Sequence, residues 1–232
     1  MLKLNKNFII KDLPKYSIII FIILNAIAMF FYAGGNMNDP KQIGYSFFNN
    51  FFSDLGMFES HSGNNNIVSS MIFGLSLFSI GSTFGLLFYT VRNIFPNYKI
   101  LSFFGTFFGL FGSICYIGVA LTPSDLFIDM HIFFAHWIFR SLFISSMIYS
   151  YLILKTKNFK NSYAYGFITF GLIVFVYIFC SEFYFKDPRL HPEFLFKHVV
   201  AQKMIVIWII FAIYFYSIGL GEYLLKINDN NH

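Results

Sequence analysis

Three titratable residues stand at the openings of three apolar segments. Asp54 lies in "NNFFSDLGMFESHSGNNN" (49–66), His131 in "DMHIFFAHWIFRS" and His198 in "KHVVAQKMIV". One carboxylate and two imidazoles can ligate zinc with a position left open, or can exchange protons near neutral pH. Asp54, His131 and His198 are therefore the expected catalytic residues and, if a metal is bound, its ligands. Zinc is the metal such a set would accept, and no other cofactor is expected. His131 and His136 are five residues apart, about 140° around a helix, so an undistorted helix cannot aim both at one ion. The chain has neither an HExxH nor an HxxxH signature.

Further polar groups lie deeper in the same segments. His136 and Arg140 are four apart and share a helix face, as do His198 and Gln202, with Lys203 beside them. With Ser53 they form the expected ligand-binding set: Ser53, His136, Arg140, Gln202 and Lys203. Charges inside apolar spans are costly and usually face a bundle interior or cavity, which makes them functional candidates. The plainer reading is that Arg140 and Lys203 pair with Asp54, Asp129 or Glu182 and hold helices together, or that Lys203 snorkels outward.

The elements that must carry these groups are membrane helices. The chain is 57% hydrophobic and 22% aromatic with only 12% charged residues, too apolar for a soluble domain. Six long apolar runs, at about 16–34, 67–91, 101–122, 130–154, 163–183 and 199–224, are each long enough to cross a hydrocarbon core of about 30 Å. The expected fold is all-α: a single domain over 1–232, an antiparallel bundle of six transmembrane helices. The first run follows a basic start, but it exceeds a signal-peptide core of about 7–15 residues and no A-x-A-like site follows it, so it is read as retained.

Basic residues orient this bundle. Lys3, Lys6, Lys11, Lys15, Arg92, Lys99, Lys155, Lys157, Lys160 and Lys226 fall at one end, against Lys41, Lys186, Arg189 and Lys197 at the other. Cytoplasmic loops collect Lys and Arg, so both termini are expected in the cytoplasm of a multi-pass plasma-membrane protein. The net charge of +5 is then a topology signal, and its scatter over short loops argues against nucleic acid as a partner. Acids and histidines segregate oppositely. Asp39, Asp54, Glu59, Asp125, Asp129, Glu182, Asp187 and Glu193 join His61, His131, His136, His191 and His198 at the outer end, leaving Asp12, Glu222, Asp229 and His232 at the inner one. That marks the outer end as the working end. Gly74, Gly81 and Gly85, then Gly105, Gly109 and Gly112, read as close helix-packing positions. Cys115 and Cys180 lie inside spans and read as small apolar filler.

At these residues the chain resembles a known group. "AGG" with "GYSFFNNFFSDLG" in the first outer loop, and "GVALTPSDLFIDMH" between the third and fourth spans, are similar to the domain-of-unknown-function 998 family of prokaryotic six-span membrane proteins. A more distant likeness is to the eukaryotic DRAM / Frag / Sfk group, through the "SDLG" loop and the histidines opening the fourth and sixth spans. The resemblance covers essentially the whole chain and implies a six-helix membrane fold. It points to Ser53, Asp54, Gly56, Pro123, His131 and His198 as family-type positions. It implies no single reaction; the eukaryotic group is associated with lipid handling and autophagy regulation.

Three functions compete on these residues. The first is binding of a phospholipid or glycolipid headgroup in an outer-leaflet polar cavity, with membrane lipid as the partner. The second is an intramembrane Asp/His hydrolase or transferase, with or without zinc. The third is a structural or regulatory membrane protein. A transporter is disfavoured, because the chain shows neither an inverted repeat nor a Pro-broken pair of spans.

Overall fold

The computed structural model describes residues 6–229, with side chains through Lys226; Lys3, His232 and the Asp229 side chain lie outside these limits. Six helices dominate: α1 Leu13–Phe31, α2 Ile67–Val91, α3 Lys99–Leu121, α4 Ile128–Lys155, α5 Ser162–Phe183 and α6 Leu195–Asp229. All six belong to segments long and apolar enough to cross a membrane. No strand forms among the described residues.

Two of the expected spans differ by three residues or more at both ends. The first, expected over 16–34, stops at Phe31, because Tyr32 is extended and Gly34 and Gly35 take φ of +104° and +79°, outside the right-handed helical region. It also begins earlier, at Leu13, behind a π-helical turn over Phe8–Asp12. The sixth, expected over 199–224, runs from Leu195 to Asp229, because a turn opened by Pro192 leads into it and neither Gly nor Pro interrupts residues 225–229.

Successive helices pack against each other, and α6 closes on α1. The π-helical turn before α1 also lies against α6, where the Ser217 hydroxyl donates to Ile10 O at 2.8 Å. The interior is strongly aromatic: Phe84, Phe88, Phe95, Tyr149, Phe167, Phe170 and Tyr216 are all fully buried. Phe30, Leu75, Phe107, Leu172 and Ile207 project outward from different helices, as lipid-facing side chains should. A methyl group at Gly112 would meet Ser141 Oγ at 2.7 Å and Leu142 Cγ at 2.8 Å, so only glycine lets α3 approach α4 this closely. Cys115 and Cys180 are both free thiols.

The two ends of the bundle differ. One is capped by residues 32–66, which fold back over α1, α2 and α6 through a short 3-10 turn, Phe52–Gly56. The other carries the tight α2–α3 and α4–α5 turns and the basic residues Lys11, Lys15, Arg92, Lys99, Lys155, Lys157 and Lys160.

Candidate functional site

Asp54 owes its position to the turn it sits in. Its carboxylate accepts from the Phe51 amide at 3.0 Å, three residues back, and from Asn50 Nδ2 at 3.0 Å. These bonds close the 3-10 turn and leave Asp54 only 5% exposed. His61 returns from the far side of the loop and brings Nε2 to 3.5 Å from Asp54 Oδ2. The backbone of His61 passes directly over Gly35, where a Cβ would sit 2.6 Å from the His61 carbonyl carbon. Gly35 thus lets the two arms of the loop cross. Tyr32 and Tyr45 line the same network, and burial beside the Asp54 carboxylate pushes both phenols well above their ordinary pKa.

His131 sits in the first turn of α4 and is 5% exposed. Its Nδ1–H donates to Thr122 O at 2.6 Å, which leaves the Nε2 lone pair bare, buried and without a partner. Asp54 and Asp125 are its electrostatic neighbours. Asp125 is also structural, since Oδ2 accepts from the Phe58 and Glu59 amides at 3.0 and 2.9 Å and pins the loop to the α3–α4 turn.

His198 belongs elsewhere. Its Nε2–H donates to Lys186 O at 3.1 Å, and Nδ1 faces the Tyr177 hydroxyl at 3.3 Å, so both ring nitrogens are engaged with α5 and its C-terminal extension. The histidine that meets Asp54 is His61, which composition and spacing did not single out. Among the described residues no three His, Cys, Asp or Glu side chains form a group able to hold a metal ion. Asp54, His131 and His198 therefore do not assemble as zinc ligands in this structure, because α6 turns His198 towards α5 and away from the loop.

The expected ligand-binding residues also separate into two places. Gln202 and Lys203 fasten the loop to α6: Gln202 Oε1 accepts from the Phe52 amide at 2.8 Å, and Lys203 Nζ donates to Asn50 O at 2.5 Å. Lys203 is 2% exposed, and its ammonium lies 5.0–5.5 Å from the ring centres of Tyr45, Phe47 and Phe52. An ammonium held by one carbonyl and three ring faces is a closed arrangement. Ser53 is half-buried in the turn, and its hydroxyl enters none of these bonds.

His136 and Arg140 face outward between α4, α5 and α6. Arg140 Nη2 lies 3.4 Å from Glu182 Oε1, with the side chains 38% and 59% exposed. His136 is exposed beside them, and Arg140, Glu182 and His198 are its charged or titratable neighbours. Arg140 is twelve residues into α4, whereas Glu182 ends α5, so the arginine reaches up towards the loop-capped end.

Fold and site together define the class, a multi-pass α-helical membrane protein. No family model matches the chain, and no curated protein or solved structure matches it.

Proposed function

We propose that this protein engages the headgroup of a phospholipid or glycolipid at the loop-capped end, through Arg140 and His136, with His198 held beside them. The observation that carries this reading is the Arg140–Glu182 pair with its histidine neighbours. It is a polar, partly open surface on helices that are otherwise apolar, within reach of the lipid boundary. An intramembrane charge that only locked helices together would be expected to be enclosed, as Lys203 is. A half-exposed guanidinium keeps N–H groups available for a phosphate or sugar hydroxyl. The loop-capped end faces away from the cytoplasm by the distribution of Lys and Arg, and the plasma membrane is the proposed location. Membership of the domain-of-unknown-function 998 family is likewise a proposal, resting on "GYSFFNNFFSDLG" and "GVALTPSDLFIDMH".

The test is lipid mass spectrometry of protein purified in mild detergent. Lipid retained by the wild type should fall at least several-fold in Arg140→Gln and in His136→Ala. Retention unchanged in both variants, with folding intact, removes the reading.

One observation favours a second reading. His131 Nε2 is buried without a hydrogen-bond partner, His61 Nε2 is buried with the Asp54 carboxylate 3.5 Å away, and Asp54 is a neighbour of both. A carboxylate with two imidazole nitrogens nearby is a general acid–base arrangement, which would make the protein an intramembrane hydrolase or transferase. Lipid ester hydrolysis that disappears in both Asp54→Asn and His131→Ala would favour it over simple binding.

A further inference from the structure

The end of the bundle opposite the loop carries a second feature, independent of the headgroup reading above. Helix α2 finishes at Val91, and the chain turns through Ile94 and Phe95, which are 5% and 1% exposed and anchor the turn in the core. The Ser102 hydroxyl donates to Arg92 O at 2.7 Å and ties α3 back across the turn. Between these fixed points opens a cavity of about 260 Å³, lined by Arg92, Asn93, Pro96, Lys99 and Phe103. It lies just below the range of about 300–1,000 Å³ typical of small-ligand sites, a size that suits a headgroup and not a whole lipid.

The lining is cationic and uncompensated. Among the described residues neither Arg92 nor Lys99 has a carboxylate within salt-bridge distance. The Arg92 guanidinium lies 5.9 Å from the Phe103 ring centre, and among the described residues its N–H groups enter no hydrogen bond. Lys99 opens α3, where backbone amides and the helix dipole add positive potential to that of its ammonium. Lys155 stands nearby on α4, over Tyr151, and Tyr151 packs edge-on against Tyr98. Beside the cavity the surface turns apolar at once: Ile100 and Phe103 are 77% and 50% exposed. A phosphate ester at Arg92 and Lys99 would thus leave acyl chains free to run down α3.

We propose that Arg92 and Lys99 form a binding site for a phosphate ester anion, the headgroup phosphate of an anionic phospholipid. Basic pockets between spans take such groups, and arginine meets phosphate through two parallel N–H bonds.

Native mass spectrometry of the full chain in detergent, titrated with phosphatidylglycerol and with phosphatidylcholine, tests this. The wild type should retain phosphatidylglycerol in preference to phosphatidylcholine. Arg92→Gln/Lys99→Gln should lower phosphatidylglycerol retention by about tenfold, equivalent to about 1.4 kcal/mol. The charge-conserving Arg92→Lys/Lys99→Arg should keep most of it, which separates binding from folding. Competition by millimolar inorganic phosphate that displaces the lipid would assign the site to the free anion, and failure to displace would assign it to the headgroup. Phosphatidylglycerol retention unchanged in Arg92→Gln/Lys99→Gln overturns the site. So does loss in Arg140→Gln alone, an outcome that leaves the headgroup reading at the capped end standing.

Discussion

Asn50 is fully buried, and every polar atom it has is used. Its Nδ2 donates to Gly35 O and Asp54 Oδ2, its Oδ1 accepts from Ser46 N and Gln42 Nε2, and its carbonyl accepts from Lys203. Removing it strands groups on four sides, whereas Lys203 can be replaced by an unbranched apolar chain of similar volume. Asn50→Ala should destabilise the protein by about 2–4 kcal/mol, because buried partners lose their bonds without gaining water. Lys203→Met should cost about 1 kcal/mol or less, since a buried charge replaced by a packed apolar group is often neutral. Thermal melts in one detergent compare the two, and a Lys203→Met melt as low as that of Asn50→Ala would show the ammonium itself to be essential. The exposed Asp187–Arg189 pair is a contrast. Arg189 grips both carboxylate oxygens, with Nε at 3.0 Å and Nη2 at 2.6 Å, and holds Asp187 below the usual carboxylate range. A depressed carboxylate pKa stabilises the fold above the unfolded value, near pH 4, and that contribution disappears as pH falls through the folded one. Solvent screening keeps it small. Asp187→Asn should cost about 0.5 kcal/mol or less at neutral pH, and the gap to wild type should close as pH falls through the depressed pKa of the folded carboxyl.

The helices meet through small residues, and the same substitution should act differently at two of them. At Gly112 an added Cβ would lie within 2.7–3.0 Å of Ser141 and Leu142 on α4. At Gly85 it would find Ser113 Cβ at 3.5 Å, an ordinary contact. Gly112→Ala should therefore destabilise by about 1–3 kcal/mol, and Gly85→Ala should be neutral or stabilising by up to about 1 kcal/mol through helix propensity. Equal effects on the melting temperature would contradict the packing. The contrast also marks how far the elements are legible in the residues. An apolar run of span length has one physical solution in a bilayer, a helix with its own backbone satisfied, so all six helices follow from composition. The small residues of α2 and α3 announce close packing, but which neighbour each glycine faces depends on helix rotation. The loop is less legible still. It has no period, and its fold depends on Asn50 and Asn66, uncharged residues that look like ordinary loop polars. Asn66 joins Ala33 N to Met57 O through its side chain, drawing both arms of the loop together. That register brings His61 to Asp54, while the rotation of α6 commits His198 to Tyr177 and Lys186. Depth along a span put Asp54, His131 and His198 at one end of the bundle; azimuth, which short polar motifs do not encode, decided which of them meet.

For the whole molecule, the asymmetry between its ends carries a prediction about the membrane. The turns at 92–98 and 156–161, the segment before α1 and the helix ends beside them carry Lys6, Lys11, Lys15, Arg92, Lys99, Lys155, Lys157 and Lys160, and the cap over 32–66 has a single lysine, Lys41. Short loops with such a bias are retained in the cytoplasm, so the capped end should face the opposite side. Two exposed positions report on this without changing the charge balance: Asn97 in the α2–α3 turn and Asn64 in the cap. Cys115 is buried and inert to labelling, while Cys180 is half-buried and would be replaced by serine beforehand. In intact cells a membrane-impermeant maleimide should label Asn64→Cys fully and Asn97→Cys only after the membrane is opened. The proposed headgroup surface around Arg140 would then meet the leaflet away from the cytoplasm. The cavity at Arg92 and Lys99 would meet the cytoplasmic leaflet, where anionic lipid raises the local concentration of its proposed ligand. The reverse labelling pattern would invert the bundle. It would place the Arg92 cavity against the leaflet poorer in anionic lipid, so that the two proposed sites would have to exchange their lipid partners.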